Sequence, residues 1–306
     1  MKDLLVGSTG FVGGNLRRSH EFEHMCHSSD IEDFYSSEPE LCVYAGVPSA
    51  MFLANSNPEA DLEIMKQACE NLRRINPKRL VLISSIAVYR DSRGKDENSA
   101  METAGLSAYG KNRLLLEQWV RQDFPDAFIV RLPALYGAGL KKNFLFDLHT
   151  ITPSMLKPEI YTILAGKNAL VREGYSLKEN GFYCIREDAD RKGLKAFFMG
   201  NDYNALSFTD SRSNYQFYNL KRLWNDIRVG MNNELKLLNI CTPPISAGTV
   251  YEYLTDGKKW VNELAKEPFD YDMRTIHFKI FCGTNGYICS LEEELQDIKQ
   301  YMASWN

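Results

Sequence analysis

The chain has 306 residues, 44% hydrophobic and 25% charged, a balance that suits one large globular domain or two smaller ones and excludes disordered and collagen-like chains. Lysine plus arginine number 36 against 40 aspartate plus glutamate, a net charge of -4 that lacks the basic footprint of a nucleic-acid-binding surface. The longest apolar stretch, around Leu80 to Val88, contains Ser84 and Ser85 and falls far short of the roughly 20 residues of a membrane span; with Lys2-Asp3 running straight into a glycine-rich turn, no apolar leader is visible, and a cytoplasmic protein is expected.

The first half alternates strand and helix signals. Leu4-Leu5-Val6 reads as a buried strand and Phe11 to Arg18 as a helix, and His24 and His27 could share a helical face. Leu41 to Ala45 is a second strand. A helix over Glu59 to Ile75 starts after Asn57-Pro58 and stops before Asn76-Pro77, as capping and proline rules require. Arg79 to Ala87 gives a central strand, and Arg90 to Leu106 a polar stretch. Ala108 to Gln122 is a helix and Phe128 to Leu132 a strand. Strands and helices in this order predict an α/β fold, a Rossmann-type doubly wound parallel sheet.

From Gly137 the pattern loosens, and Val171 to Asn204 is charged and tyrosine-rich. Regular elements return as a helix over Tyr218 to Val229, a strand over Leu237 to Cys241 and a C-terminal helix over Leu291 to Met302. The predicted division is a dinucleotide-binding domain over 1–140 with returning elements at about 215–245, and a smaller substrate-binding lobe from 141–214 and 246–306. The seven cysteines are odd in number and scattered without a CxxC pair, which predicts free, mostly buried thiols. The five histidines form no HExxH or Cys/His cluster, so no metal site is predicted.

Gly7, Gly10 and Gly13 form GSTGFVG between the first strand and the first helix. Glycines there let the backbone approach a pyrophosphate, and the helix start offers free N–H groups and a positive dipole end. NAD or NADP is therefore the expected cofactor, lined by Gly7, Thr9, Gly10, Phe11, Val12 and Gly13, with Ala45 and Gly46 after the next strand, Ser84, and Pro133.

Three further segments, Ser84-Ser85-Ile86-Ala87-Val88-Tyr89, Tyr109-Gly110-Lys111-Asn112-Arg113 and Arg131-Leu132-Pro133-Ala134-Leu135-Tyr136-Gly137, resemble the extended short-chain dehydrogenase/reductase family, the NAD-dependent epimerase/dehydratase group that acts on nucleotide sugars. The resemblance implies a Ser/Tyr/Lys constellation in which tyrosine exchanges a proton with a sugar oxygen while hydride passes to or from nicotinamide. Ser85 matches the serine and Tyr109 the acid/base. A free phenol titrates near pH ~10, so a hydroxyl and a cation beside it are what the chemistry needs. The position four residues after Tyr109 holds Arg113 instead of lysine. It shares a helical face with Tyr109 and can bring a cation toward the phenol and the nicotinamide ribose, whereas Lys111 points elsewhere; its planar fork makes the exchange a non-conservative one.

Only about a dozen residues separate His27 from Leu41, where the family fits a helix and a strand, so the resemblance implies a trimmed sheet edge near residues 27–41. The adenosine ribose would face this segment. Asp30 argues for NAD, while Ser28, Ser29 and nearby Arg17 argue for NADP, and the choice stays open. The resemblance also implies a nucleotide-sugar substrate held by Ser85, Tyr109, Asn143 and Arg274, with Lys141 and Lys142 close by in sequence, and a possible homodimer. Tyr215, Phe217 and Tyr218 could stack a base or pack in the core. The expected activity is epimerisation or keto reduction, the alternative being a non-catalytic or weakly active cofactor-binding relative. Dehydratases of the family carry an Asp-Glu pair after the catalytic threonine; here Ile86 and Ala87 stand there. Asp91, Asp96, Glu97 and Glu102 lie in what should be a mobile surface loop.

Overall fold

The computed structural model describes residues 1–27 and 29–305. The chain opens with Asp3–Val6 (β1), Phe11–Ser19 (α1), His24–Cys26 (β2), Leu41–Tyr44 (β3), Met51–Ser56 (α2), Pro58–Ile75 (α3), Leu80–Ser85 (β4), Ala108–Asp123 (α4), Phe128–Leu132 (β5) and Ala134–Tyr136 (β6). It continues through Phe144–Thr150 (α5), Met155–Leu156 (β7), Pro158–Lys167 (α6), Ala169–Gly174 (α7), Tyr175–Leu177 (β8), Tyr183–Ile185 (β9) and Arg191–Met199 (α8). The last third holds Asn214–Tyr215 (β10), Phe217–Asn219 (β11), Leu223–Asn232 (α9), Leu237–Asn239 (β12), Ala247–Leu254 (α10) and Leu291–Ser304 (α11). Two compact units result, one from 1–140, 214–245 and 269–306, the other from 141–213 and 246–268.

The first unit is built on a six-stranded parallel sheet in the order β12-β5-β4-β3-β1-β2. Its strands read as unbroken apolar runs because both faces are covered. Alternate side chains divide between two cores. Leu4, Val6, Cys42, Leu80, Leu82 and Ile129 meet Met65, Leu72 and Ile75 of α3 and Leu116 and Val120 of α4. Leu5, Val43, Val81 and Val130 meet Leu16 of α1 and Leu223 and Ile227 of α9. Leu16, Leu72 and Ile227 are wholly buried, each contributing about 1.5–3 kcal/mol by leaving water. The α3 boundaries follow local chemistry: Asn57 caps the start by accepting from Ala60 N at 3.2 Å, Pro58 stands in the first turn, and Asn76 ends the helix at φ 54.

Three expectations need correction. His24 and His27 share no helical face: residues 24–26 pair parallel with β1, Leu4 beside His24, and a three-residue edge strand with one exposed side is too short to show a period. The trimming falls on the connection to β3, reduced to a single 3-10 turn at Ile31–Phe34. Tyr218 belongs to a strand, β11, which pairs with β6; helix α9 begins only after a turn in which Asn219 Oδ1 accepts from Lys221 N at 3.0 Å. Residues 269–306, expected in the smaller lobe, belong to the first unit, because Ile288 N bonds to Cys241 O at 2.9 Å and Glu294 Oε1 accepts from Phe217 N at 3.0 Å.

The second unit carries the antiparallel sheet β7-β9-β8 and a core of Leu156, Leu164, Val171, Tyr175, Leu194 and Phe198. Tyr161 and Tyr183 stack with centroids 3.6 Å apart. The tyrosine-rich stretch that hid its periodicity is thus this small core. Cys26, Cys42, Cys69, Cys241 and Cys289 are free and buried, and Cys282 is free and exposed. No helix among the described residues is long and apolar enough to cross a membrane.

Candidate active site

Because β1 lies between β2 and β3, successive connections leave in opposite directions at β1 and β3. Open α/β sheets bind ligands in the crevice this creates at the strands' carboxyl ends. Gly7, at the exit of β1, has φ +86, and a Cβ there would lie 2.6 Å from Ala45 O and from Gly46 Cα. The floor of the crevice is therefore two backbones in contact, with Ala45 N bonded to Val6 O at 2.9 Å. A Cβ on Gly13 would stand 2.1 Å from Gly7 O, but one on Gly10 would meet only Gly7 O, at 3.3 Å. Gly13 thus serves helix packing, whereas Gly10 is exposed and has that single carbonyl as its close neighbour. Thr9 and Gly10 are exposed, and no side chain caps α1. Phe11 and Val12 turn their side chains into the core, so their N–H groups, with that of Gly13, are the free donors of a helix start. These residues fit a dinucleotide pyrophosphate: the cradle is glycine-lined, uncapped and open where a ligand would sit.

Ser85 and Tyr109 come from different elements brought into contact. A Cβ on Gly110 would lie 2.0 Å from Ala87 O, so the first turn of α4 rests on the 3-10 turn Ile86–Val88 that follows Ser85. Ser85 Oγ accepts from Ala87 N at 3.2 Å, which orients the hydroxyl and leaves its hydrogen free to donate. Ser107 caps α4 by accepting from Gly110 N at 3.2 Å, and Tyr109 N donates to Asn55 Oδ1 at 3.0 Å. Tyr109 is buried at 7% exposure.

Arg113 departs from its expected place. Its side chain is 3% exposed and paired with Asp61 of α3; Nη2 donates to Pro48 O at 2.7 Å. Its Cζ lies 3.8 Å from the Tyr109 ring centroid. The cation reaches the phenol ring as expected, but over its face, with the fork committed to the protein and no donor left at the surface for a ribose. Asp61 gave no sign of this in the sequence, 52 positions from its partner.

Ser84 also departs: its hydroxyl donates to Glu117 Oε1 at 2.6 Å instead of facing a cofactor. Glu117 takes a fork from Arg131, whose Nη1 donates to the Tyr89 hydroxyl at 2.6 Å; burial holds the Tyr89 phenol above its usual range. This buried network holds Ser84 on one face of the sheet, and strand alternation turns Ser85 to the other. Pro133 is half-buried between β5 and β6. Beyond it, Gly137 has φ +157, and Asn15 of α1 clasps the turn, exchanging bonds of 2.9 Å with Ala138 O and N.

On the adenosine side Ser28 lies outside the described residues. Asp30 Oδ1 accepts from His27 N at 2.7 Å, and Ser29 Oγ is 2.7 Å from His27 Nδ1, so Asp30 is engaged within its own turn. Arg17 lies about 9 Å along α1 from Phe11, toward the end where His20 Nε2 meets Asp3 Oδ2 at 2.8 Å, and lines a cavity with Met25 of β2. Arg274 pairs with Asp272 at 3.2 Å. Asn143 belongs to the second unit, where its side chain caps α5 by accepting from Phe146 N at 3.1 Å; one turn on, burial pushes the Asp147 carboxyl up to about 7.

The loop over residues 90–106, expected to be mobile, is tied down. Glu97 accepts from Asn239 N and Thr275 Oγ1 at 2.7 Å and from Ile276 N at 2.9 Å. Asp96 Oδ1 accepts from Asn98 N at 2.9 Å, and Arg93 holds the Asp91 carboxyl low, at about 2.

Strand order, crevice and uncapped glycine turn define a Rossmann-type α/β protein. The profile of the RmlD substrate binding domain family matches residues 1–155, and the chain belongs to that family, within the NAD-dependent epimerase/dehydratase superfamily. No curated protein sequence matches. Among solved structures, the chain is similar to a dTDP-4-dehydrorhamnose reductase from Bacillus anthracis in complex with NADP, with TM-score 0.63, 14% identity and coverage of 98% of this chain and 99% of that one. It is similar to UDP-glucose 4-epimerase of Thermotoga maritima, with TM-score 0.60, 13% identity and 99% coverage of both. TunA, an NAD-dependent NDP-hexosamine 5,6-dehydratase of tunicamycin biosynthesis, gives TM-score 0.62 and 12% identity over 100% of this chain and 98% of that one. At these identities the likeness is one of fold.

Proposed function

We propose that the protein is an NAD(P)-dependent oxidoreductase that reduces a keto group, or oxidises the corresponding hydroxyl, on a nucleotide-linked sugar. The observation that carries this is the pairing of an open, uncapped glycine cradle with a corner that joins Ser85 to Tyr109 at the carboxyl end of the same sheet. A bound nicotinamide supplies or accepts the hydride. The chain's own part is to hold the pyrophosphate on the N–H groups of Phe11, Val12 and Gly13, to donate from Ser85 Oγ to the reacting oxygen, and to pass the phenolic proton of Tyr109 to that oxygen as it gains charge. Family membership supports the substrate class, as does the recurrence of nucleotide sugars in the names of the similar structures. The turn after β2 does not decide between the dinucleotides, so both NADH and NADPH belong in the test.

Calorimetry with each dinucleotide should give saturable binding, and a panel of nucleotide-linked keto sugars should deplete reduced nicotinamide absorbance. Absence of dinucleotide binding would refute the proposal. Dinucleotide binding without turnover of any sugar would return the chain to the non-catalytic alternative, and a Tyr109→Phe variant that turns over as fast as wild type would remove Tyr109 from the proton transfer.

A further inference from the structure

We propose that Asp61 is a positioning residue, holding the Arg113 guanidinium as an internal clamp between the Tyr109 ring and the Pro48 carbonyl and so withholding it from the cofactor. The proposal rests on the reading of Tyr109 as the proton-transferring group. Asp61 lies in the first turn of α3, is 6% exposed, and takes both Arg113 Nη1 and, at 2.8 Å, Asn112 Nδ2. Two consecutive residues of α4 are thus gathered by one carboxylate. Nη1 also approaches Tyr109 O at 3.4 Å, and Nη2 is bonded to Pro48. Nε is buried with no partner, beneath a ring whose centroid lies 3.8 Å from Cζ.

A buried guanidinium needs a buried anion, since neither charge is sustained alone in such a place. Only a planar fork can meet a carboxylate at one nitrogen and a carbonyl at another while lying flat on an aromatic face. A lysine ammonium has three donors but carries them on a single atom at the end of a flexible stem, so it cannot span these partners while lying flat on the ring. The exchange to arginine and the carboxylate at position 61 therefore form one device. With Tyr109 N also held by Asn55, the first turn of α4 grips the 48–55 segment at both ends, and the guanidinium lies over the ring between them.

The test is a thermal-unfolding cycle of Asp61→Asn and Tyr109→Leu, run with Arg113 and again with Arg113→Lys, alongside NADPH calorimetry and steady-state kinetics. Asp61 and Tyr109 share no hydrogen bond, so their effects should add unless Arg113 links them. We expect non-additive shifts with Arg113 and additive shifts with Lys. In Asp61→Asn, kcat should fall by about tenfold or more with the NADPH Kd within about threefold, because the ring is misplaced while the glycine cradle is intact. Additive shifts with Arg113 present, an unchanged kcat, or an Arg113→Lys variant that loses NADPH affinity while keeping kcat would each overturn the clamp. Should Asp61→Asn fail to fold, Asp61→Glu, which keeps the charge one methylene further out, takes its place in the cycle. A wild-type chain that binds no NADPH sinks the functional reading, yet the unfolding cycle still decides the clamp.

Discussion

The glycine turn and the tyrosine corner sit at the same end of one sheet and are made in opposite ways. At the turn, what matters is the absence of side chains: Gly7 and Gly13 let backbones meet, and Gly10 leaves a space. At the corner, what matters is which side chains meet, with Arg113 drawn to Asp61 and Ser84 to Glu117. A site built from missing atoms is specified locally and tolerates no addition. A site built from partnerships depends on residues far away in the chain, and a conservative exchange in one partner changes its geometry.

Substitutions can break this contrast in graded steps. The largest effect belongs to the corner: Tyr109→Phe removes the transferable proton, and turnover should fall by about 10²–10⁴-fold with dinucleotide affinity retained in calorimetry. Equal losses in kcat and affinity would mean that the ring serves binding. At the turn, Gly13→Ala and Gly10→Ala should separate. The first forces a Cβ against the Gly7 carbonyl at 2.1 Å and should cost about 1–3 kcal/mol of stability, seen as a lower melting temperature, together with dinucleotide binding. The second meets one carbonyl, at 3.3 Å, so it should melt much closer to wild type than Gly13→Ala and lose affinity by about tenfold, because the rest of its methyl group enters ligand space. Should both variants melt early, the turn is packing throughout.

A smaller effect is expected away from both regions. Burial holds the Glu294 carboxyl well above its usual range, with Oε2 unpartnered. The folded protein thus keeps this proton at pH values where the unfolded chain has released it, so stability is lost as pH rises above the ordinary glutamate range toward the folded value. Glu294→Gln should therefore raise the melting temperature by a few degrees at pH 8 and by less at pH 5; an equal gain at both would mean the carboxyl is already ionised. The smallest expected signal is none at all. Nucleotide hexoses incubated with NAD(P) should yield no product 18 mass units lighter in mass spectrometry, because Ile86 and Ala87 transfer no proton and Asp96 and Glu97 are tied into the loop. The loop that carries these two carboxylates is tied down, so hydrogen bonding and not mobility withholds them.

The contrast also explains what could be read from the sequence. Strands β1, β3, β4 and β5 were legible because two-sided burial writes them as apolar runs, and the glycine spacing was legible because only glycine fits there. Strand β2 was not, since three residues at an edge show no alternation, nor was the strand at Tyr218, because only the Asn219 cap separates it from the helix that follows. Within the site, Tyr109 and Gly110 announced themselves as a pair. The destination of Arg113 did not, because helical spacing fixes which neighbours share a face and says nothing about a carboxylate on another helix. Asn15 and Gly137 are likewise 122 positions apart, and only the fold joins them.

The first unit draws on three separate stretches of chain, and this sets the order in which it can be completed during synthesis. The crevice is written into the first 46 residues, yet the Gly137 turn is secured by Tyr301, whose hydroxyl donates to Gly137 O at 2.8 Å, and β11 by Glu294. At a ribosomal rate of about 5–20 residues per second, some 10–40 s pass between the emergence of β4 and that of Glu294. Well before its end the six-stranded sheet has α1, α3, α4 and α9 over it, and what still waits for Glu294 and Tyr301 is the securing of β11 and the Gly137 turn. A chain truncated before α11 would therefore keep every strand and the helices over the six-stranded sheet, and lose the ties on Gly137 and β11.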